Sequence, residues 1–417
     1  MSDPAEVTLT APFDPVPFTI AGPADDRGVI GEIRRSGSHY EPGVMRAVGR
    51  VLGRSSVSFD IGANIGVFAV VMARLSSRGM VYAFEPAAET YQFLVHNLSR
   101  NSSGNFVAEQ AAAFRETGTV SFVFSPSYPA GSFVGEAAPP DGELRTVPAV
   151  ALDDYVERKG ITRVDLIMID AEGAEVSVLL GARATLARHH PVLLAEINPA
   201  LLQRLGGSSY RELAGLLRQH HELCSMDSEG EATLLLSDDH LDLLLRREGV
   251  IDVLCLPKPK GAGRAARRRG ERQLAELRAE FEGSSPPASC FLVEPAFVIS
   301  ASVEVVAAPP DGQVVLDVSV TNTSRYWFTS DSVYYPVHLS YRWYHADGRR
   351  AEGVAAHRGR FDPALAPGAL TTIALAVHFP VEPGTYVLCL TLVQENYAWF
   401  DELDPSLRCL VPGAVVG

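Results

Sequence analysis

The chain is poor in cysteine. Its 417 residues include five, at Cys224, Cys255, Cys290, Cys389 and Cys409. They are odd in number, scattered and without a Cys-x-x-Cys pair. That argues against a disulfide framework or a cysteine zinc site and fits a reducing compartment. Positive charge is also scarce: 36 Lys and Arg stand against 50 Asp and Glu, for a formal net charge of -14. Phosphate contacts need clustered cations, so no nucleic-acid partner is expected. No run approaches about 18 uncharged apolar residues, so no membrane span is expected. Met1-Ser-Asp-Pro-Ala-Glu6 has neither a basic start nor an apolar run, so the expectation is a cytoplasmic protein without a secretory signal. What remains is ordinary globular composition. The chain is 47% hydrophobic and 21% charged, enough for a sizeable core, and its length predicts two domains.

Residues 57 to 256 alternate strand-like and helical patterns. The strand-like runs are Val57–Phe59, Met80–Phe84, Phe106–Glu109, Val164–Ile169, Val192–Ala195 and Val250–Leu256, with amphipathic stretches such as Glu89–Leu98 and Tyr210–His220 between them. This alternation predicts an α/β fold, a mainly parallel Rossmann-like sheet with helices on both faces. A further pair, Thr119–Phe124 and Leu144–Val150, flanks a Pro/Gly/Ser-rich loop at 125 to 143, a candidate lid or substrate loop. Residues 257 to 289 read as a basic, Pro/Gly/Ser-rich linker with a short helix at Glu271–Glu282. Its run from Lys258 to Arg269 suits either a solvated linker or an anionic surface. Residues 290 to 417 show short alternating runs between turn signals, which predicts a separate all-β sandwich. The expected domains are therefore 1–256 and 290–417.

The chemistry concentrates in Val57-Ser-Phe-Asp-Ile-Gly-Ala-Asn-Ile-Gly-Val67, a strand that ends in a glycine turn and enters a helix. The spacing Asp60-x-Gly62-x-Asn64-x-Gly66 is not the dinucleotide GxGxxG, and it lacks the Gly-Lys-Ser/Thr of a phosphate-binding loop. Nothing is arranged to cradle a pyrophosphate. A ligand with a ribose and an amino-acid tail fits better, which describes S-adenosylmethionine. Asp60 would hold its ammonium, and Gly62, Asn64 and Gly66 would line its tail. Glu85, closing the second strand, would accept the ribose hydroxyls. Gln110 and Ala111, after the third strand, fall where the adenine edge would sit. The alternative is that Asp60 and Glu85 only cap the following helices.

Asp60-Ile-Gly-Ala-Asn-Ile-Gly66, Phe84-Glu-Pro86, Leu152-Asp-Asp-Tyr155, Val164 through Glu175, Leu193-Leu-Ala-Glu-Ile197 and Asp252-Val-Leu-Cys-Leu-Pro257 occur in this order. Together, over about residues 40 to 258, they resemble the FkbM family of S-adenosylmethionine-dependent methyltransferases. The resemblance implies an O-methyltransferase acting on sugar or polyketide hydroxyls. Met168 stands where the family often carries a Lys.

Ile169-Asp-Ala-Glu-Gly-Ala-Glu175 places three acids at the end of the fourth strand. Asp170 and Glu172 would lie near the reacting methyl, with Glu196 and Asn198 after the fifth strand. Methyl transfer to a hydroxyl needs an aligned oxygen and a proton acceptor. Asp170, Glu172 or Glu196 could act as the base, or these carboxylates could hold Mg²⁺. Helix capping is the competing reading, and for Glu175 it weighs at least as much. His189 and His190 fall at the opposite sheet edge. Tyr40-Glu41 is a candidate N-terminal lid over the cofactor.

The segment Pro383 to Phe400 resembles the β-sandwich modules attached to bacterial polysaccharide enzymes and O-antigen exporters, such as the Wzt carbohydrate-binding domain. Tyr326-Trp-Phe328, Tyr334-Tyr335, Trp343-Tyr344, Tyr397 and Trp399-Phe400 are the aromatics that would stack on sugar rings. Packing and protein docking are the rivals. The combined expectation is an S-adenosylmethionine-dependent O-methyltransferase acting on a sugar, polysaccharide or glycosylated product, compatible with a homo-oligomer. The alternative is a non-catalytic glycan- or protein-binding protein that uses the fold as a scaffold.

Overall fold

A computed structural model describes residues 4–26, 28–125, 128–133, 143–258, 261–281, 292, 295–301, 312–331, 336–351, 353–354, 356–395 and 398–416. The chain forms two units. One comprises Met1–Asp238 and Val250–Gln273, the other Asp239–Gly249 and Leu274–Gly417. Each unit draws on two stretches of the sequence.

The first unit opens with an antiparallel hairpin, β1 (Pro4–Ala11) and β2 (Asp14–Pro23), followed by α1 (Val29–Ser36) and α2 (Pro42–Val51). Strand–helix alternation follows: β3 (Val57–Ile61), α3 (Val67–Leu75), β4 (Met80–Phe84), α4 (Ala88–Asn101) and β5 (Phe106–Glu109). Next come β6 (Ala112–Ala113), β7 (Gly118–Ser125), β8 (Tyr128–Phe133) and β9 (Glu143–Val150), which form a small separate sheet ordered β6-β9-β7-β8. The pair expected around the 125–143 loop is therefore β7 and β9, antiparallel as Gly118↔Ala149 through Phe124↔Glu143. Residues 126–127 and 134–142 of that loop lie outside the described residues.

The unit continues through α5 (Leu152–Arg158), β10 (Leu166–Ile169), α6 (Glu175–Leu180), α7 (Arg183–His189), β11 (Val192–Ile197), α8 (Pro199–Arg204), α9 (Tyr210–His220), β12 (His221–Met226), β13 (Ala232–Leu234), α10 (Asp238–Glu248) and β14 (Ile251–Pro257). The main sheet has eight strands in the order β13-β12-β14-β11-β10-β3-β4-β5. β11, β10, β3, β4 and β5 are parallel neighbours, while β14 runs antiparallel to both β11 and β12. This is the expected α/β class, a mainly parallel sheet with a reversed strand.

Period-two alternation assigns the faces. Val81, Ala83, Leu166 and Met168 share one core with α2, α3 and α4. On the other face, Phe59, Tyr82 and Phe84 pack around Tyr155 of α5, with ring centroids 5.0–6.2 Å from it. The order of strands reverses between β3 and β10. An open sheet of this kind leaves its ligand crevice outside the carboxyl ends of the strands at such a point.

α11 spans Arg264–Phe281, so it starts seven residues before the expected helix and takes up most of the basic run. Ala265, Ala266 and the neighbouring arginines are strong helix formers. Arg269 donates to the Ala232 carbonyl and pairs with Glu231, and Arg267 faces Glu222 at 3.8 Å. These arginines are held against the first unit rather than solvated in a linker.

In the second unit, β15 (Phe297–Ala301), β16 (Gln313–Asn322) and β19 (Leu370–His378) form one antiparallel sheet. β17 (Val337–His345), β18 (Gly359–Arg360), β20 (Gly384–Gln394), β21 (Ala398–Trp399) and β22 (Cys409–Val416) form the other. Trp343 Nε1 donates across to the His378 carbonyl at 2.7 Å. Tyr326, Phe328, Trp343 and Phe400 are core residues. Trp399 lies beneath Arg342 and Arg358, at 3.8 and 5.0 Å from its centroid. Of the aromatics expected to face a glycan, Trp327 and Tyr344 are half-buried, and Tyr334, Tyr335 and Tyr397 lie outside the described residues. α10 contributes Arg246, whose guanidinium sits over Tyr326 and Phe281 at 4.5 and 4.6 Å, and Asp242, which accepts from Arg325.

Candidate active site

The turn after β3 is built by close backbone contacts. The amides of Gly62 and Ala63 both donate to the Phe84 carbonyl, and Asp170 N donates to the Ile61 carbonyl. A Cβ on Gly62 would lie 1.8 Å from the Asp170 carbonyl oxygen, and its φ is 79°. Only glycine lets β3 and β10 end this close together. Asn64 also takes a positive φ, 51°, which asparagine tolerates. Gly66 (φ 91°) starts α3 with no side-chain cap.

This backbone borders a cleft of about 460 Å³. Gly62, Asn64, Glu85, Ala111, Asp170 and Glu172 all line it, and Phe122 of β7 contributes from the small sheet. Gln110 is exposed and is not part of the lining; Ala111 is. Gly66 supports the turn from behind, against Leu94.

α3, α4 and α6 begin at Gly66, Ala87 and Ala174, none of which caps with its own side chain. Asp60 accepts instead from Ala69 N in the first turn of α3, and Glu85 from Ala87 N at the start of α4, so both acids also meet helix-start amides. Asp60 is 3% exposed, and its Oδ2 has no hydrogen-bond partner among the described residues; nor does Asp170 Oδ1. Burial, then the Asp170 charge, push the Asp60 carboxyl up to about 7. Burial pushes Asp170 up to about 6. Glu85, 2% exposed, accepts from Asn64 N at 3.0 Å and Ala87 N at 2.8 Å, and burial still pushes it up to about 8. Glu175 turns back to accept from Ala171 N and Gly173 N, both at 3.0 Å. It holds the loop carrying Asp170 and Glu172, and is a structural residue.

Glu196 does not line the cleft. It sits opposite Asp252 in the β11–β14 pairing, and burial, Asp170 and Glu172 raise its carboxyl well above the usual range. Asp252 is pushed up to about 7 by burial and Asp170. Sequence reasoning passed over Asp252 as a site residue; its signal was an acid in the otherwise apolar strand Ile251–Leu256. Glu41, at the start of α2, is raised to about 8 by burial and by Asp252 and Asp170. Tyr40 hydrogen-bonds Glu41 and packs on Phe68 of α3 at 5.8 Å. The structure thus places Tyr40-Glu41 beside the acids. Asn97 was also missed. Its Nδ2 donates to the Ala21 and Ile65 carbonyls and its Oδ1 accepts from Ala21 N, tying hairpin to turn.

Among the described residues, no group of three or more His, Cys, Asp or Glu side chains is arranged to close around a metal ion. Mg²⁺ held by one or two carboxylates together with substrate oxygens and water requires no such group. No described helix is long and apolar enough to cross a membrane.

Residues 60–230 match the model of the methyltransferase FkbM domain. Methyltransferase sdnD of Sordaria araneosa is 31% identical over 29% of this chain and 58% of its own length. Hexuronic acid methyltransferase AglP of Haloferax volcanii is 28% identical over 34% of this chain and 56% of its own. The 31-O-demethyl-FK506 methyltransferase FkbM of Streptomyces tacrolimicus is 30% identical over 30% and 58%. The chain spans little more than half the length of these curated relatives.

Proposed function

We propose, on the premise that this chain carries an FkbM-family methyltransferase domain at residues 60–230, that it methylates a hydroxyl of a sugar, polysaccharide or glycosylated product. S-adenosylmethionine is the donor in this reading. The observation that carries it is the pair of buried, unpartnered carboxylate oxygens on Asp60 and Asp170: Asp170 lines the cleft, and Asp60 sits behind Ile61 and Gly62, which line it. Buried charge needs a partner, and a cationic amino-acid ligand supplies one. When bound, this donor supplies an electrophilic methyl on a sulfonium.

The chain's residues then divide the work. Asp60 pairs with the ligand ammonium, Glu85 accepts the ribose hydroxyls, and Gly62 and Asn64 bring backbone against the tail. Ala111, with Gln110 at its side, borders the adenine. Asp170 receives the acceptor's hydroxyl proton as the oxygen–methyl bond forms and the carbon–sulfur bond breaks, its electron pair staying on sulfur. Asp170 is favoured over Glu196 because it lines the cleft and titrates nearest to neutral pH on the ionised side. Glu172, in the same lining, positions the acceptor. FK506 and hexuronic acid, named in the relatives, are both hydroxyl-bearing molecules and support an oxygen acceptor.

The test is transfer of a labelled methyl from S-adenosylmethionine to methyl glycosides, with and without EDTA. Transfer that persists in EDTA and disappears in Asp170→Asn is expected. Transfer unaffected by Asp170→Asn would reject the assigned base, and loss in EDTA would favour the metal reading.

A further inference from the structure

A second cavity, open to solvent, lies at the same edge of the main sheet. Its walls come from the β1–β2 turn (Phe13), from α1 (Glu32, Ser36), from the start of α2 (Glu41, Arg46) and from the turn after β12 (Glu229). β12 runs parallel to β11, since both are antiparallel to β14, so its following turn emerges at the carboxyl edge where Asp170 sits. Glu41 joins the cavity to the reaction centre: it lines the groove, and its carboxylate feels both Asp170 and Asp252.

Acids outnumber bases in the lining of this groove: Glu32, Glu41 and Glu229 stand against Arg46, with His39 beside them. Arg46 is the one Lys or Arg in the lining among the described residues, and it is engaged by the Ser228 carbonyl and by Glu229 at 3.5 Å. Arg35, outside the lining, tempers Glu32. Burial and the nearby Asp252 and Asp170 keep the proton on Glu41 up to about pH 8, so Glu32 and Glu229 carry the groove's own negative charge. An anionic ligand entering here would lose water beside like charge, which is penalised. The groove, of about 720 Å³, sits in the upper part of the roughly 300–1,000 Å³ range of small-molecule sites, and Phe13 offers an apolar face of the kind C–H groups of a sugar ring pack against.

We propose that this groove is the acceptor site, and that it takes an extended polyhydroxylated chain, such as an oligosaccharide, that is uncharged or amine-bearing and carries no uronate or phosphate. The proposal rests on the methyl-transfer reading above and adds the acceptor's place and charge class. It sets this chain apart from the relative named for hexuronic acid.

The experiment titrates the full chain, loaded with S-adenosylhomocysteine, with three disaccharides followed by NMR: neutral chitobiose, the diamine disaccharide of chitosan, and digalacturonic acid. The neutral and amine probes are expected to bind at least about tenfold tighter than the diuronate. Ser36→Trp should remove binding of all three while S-adenosylhomocysteine still titrates. Glu32→Lys combined with Glu229→Lys should close the gap in favour of the diuronate. A diuronate that binds as tightly as the others, no disaccharide binding at all, or binding untouched by Ser36→Trp would each overturn the proposal. If S-adenosylhomocysteine itself fails to bind, the donor reading falls. The same disaccharide titrations on the unloaded chain then decide the groove separately.

Discussion

Replacing Asp60 by Asn separates the carboxylate's cost to the fold from its use to the ligand. Asp60 is 3% exposed and faces a like charge. Its carboxyl is held at about 7 in the fold against 3.8 as an ordinary side chain. The folded value is raised, so the folded state binds the proton more tightly than the unfolded chain. The stability tied to this proton is fully present below about pH 3.8 and is lost as pH rises through about 7. By pH 8 the ligand-free protein has given up about 4 kcal/mol here. Asparagine is nearly isosteric and carries no charge. Asp60→Asn should therefore stabilise the ligand-free protein by up to about 4 kcal/mol at pH 8 and change it little at pH 4. It should also weaken S-adenosylmethionine binding by about 1.5–3 kcal/mol through the lost ammonium pair. Urea unfolding followed by far-ultraviolet circular dichroism reads the first effect. Trp327, Trp343 and Trp399 all lie in the second unit, so their fluorescence is an internal reference. A variant that is less stable than wild type at pH 8, or equally shifted at both pH values, would refute the reasoning.

Three further outcomes follow from the same geometry. Gly62→Ala should cost about 3 kcal/mol or more in thermal unfolding, because its Cβ meets the Asp170 carbonyl and its φ is positive; a neutral result would show that the two strand ends can part. Asn97→Ala should cost about 2–4 kcal/mol by leaving the Ala21 amide and the Ala21 and Ile65 carbonyls unmet, and hydrogen exchange should rise at both segments. With S-adenosylmethionine saturating, wild-type kcat should rise with pH through about 6 as Asp170 ionises, and Asp170→Asn should lower kcat about 10²–10⁴-fold and abolish that limb.

Much of the site was legible because strand periodicity fixes where acids fall. Asp60, Glu85 and Asp170 sit at the ends of β3, β4 and β10, and the sequence pattern located those ends to within a residue or two. Glu175 could not be sorted from Asp170 by sequence. Its role depends on a side chain turning back to two amides, which spacing does not reveal. Asp252 and Glu41 escaped for a related reason: each reaches the cluster through tertiary pairing, Asp252 across from Glu196 and Glu41 from a helix well before the sheet. The early start of α11 was hidden by glycines at 261, 263 and 270. Gly270 is inside the helix because a Cβ there would meet the Leu234 carbonyl at 2.1 Å. In the sandwich, alternation identified strands but not which face was inward, so Tyr326 and Trp343 read equally well as surface and core.

The central claim is that Asp60, Glu85 and Asp170 form the seat of a cationic methyl donor. Calorimetric titration of the full chain with S-adenosylmethionine at pH 7.5, in two buffers of different ionisation enthalpy, tests it most directly. Asp60 and Glu85 titrate at about 7 and about 8 in the unliganded fold. A bound cation and ribose hydroxyls favour their charged forms, so binding should release protons and its enthalpy should depend on the buffer. Absence of binding, or binding that takes up protons, would contradict the account.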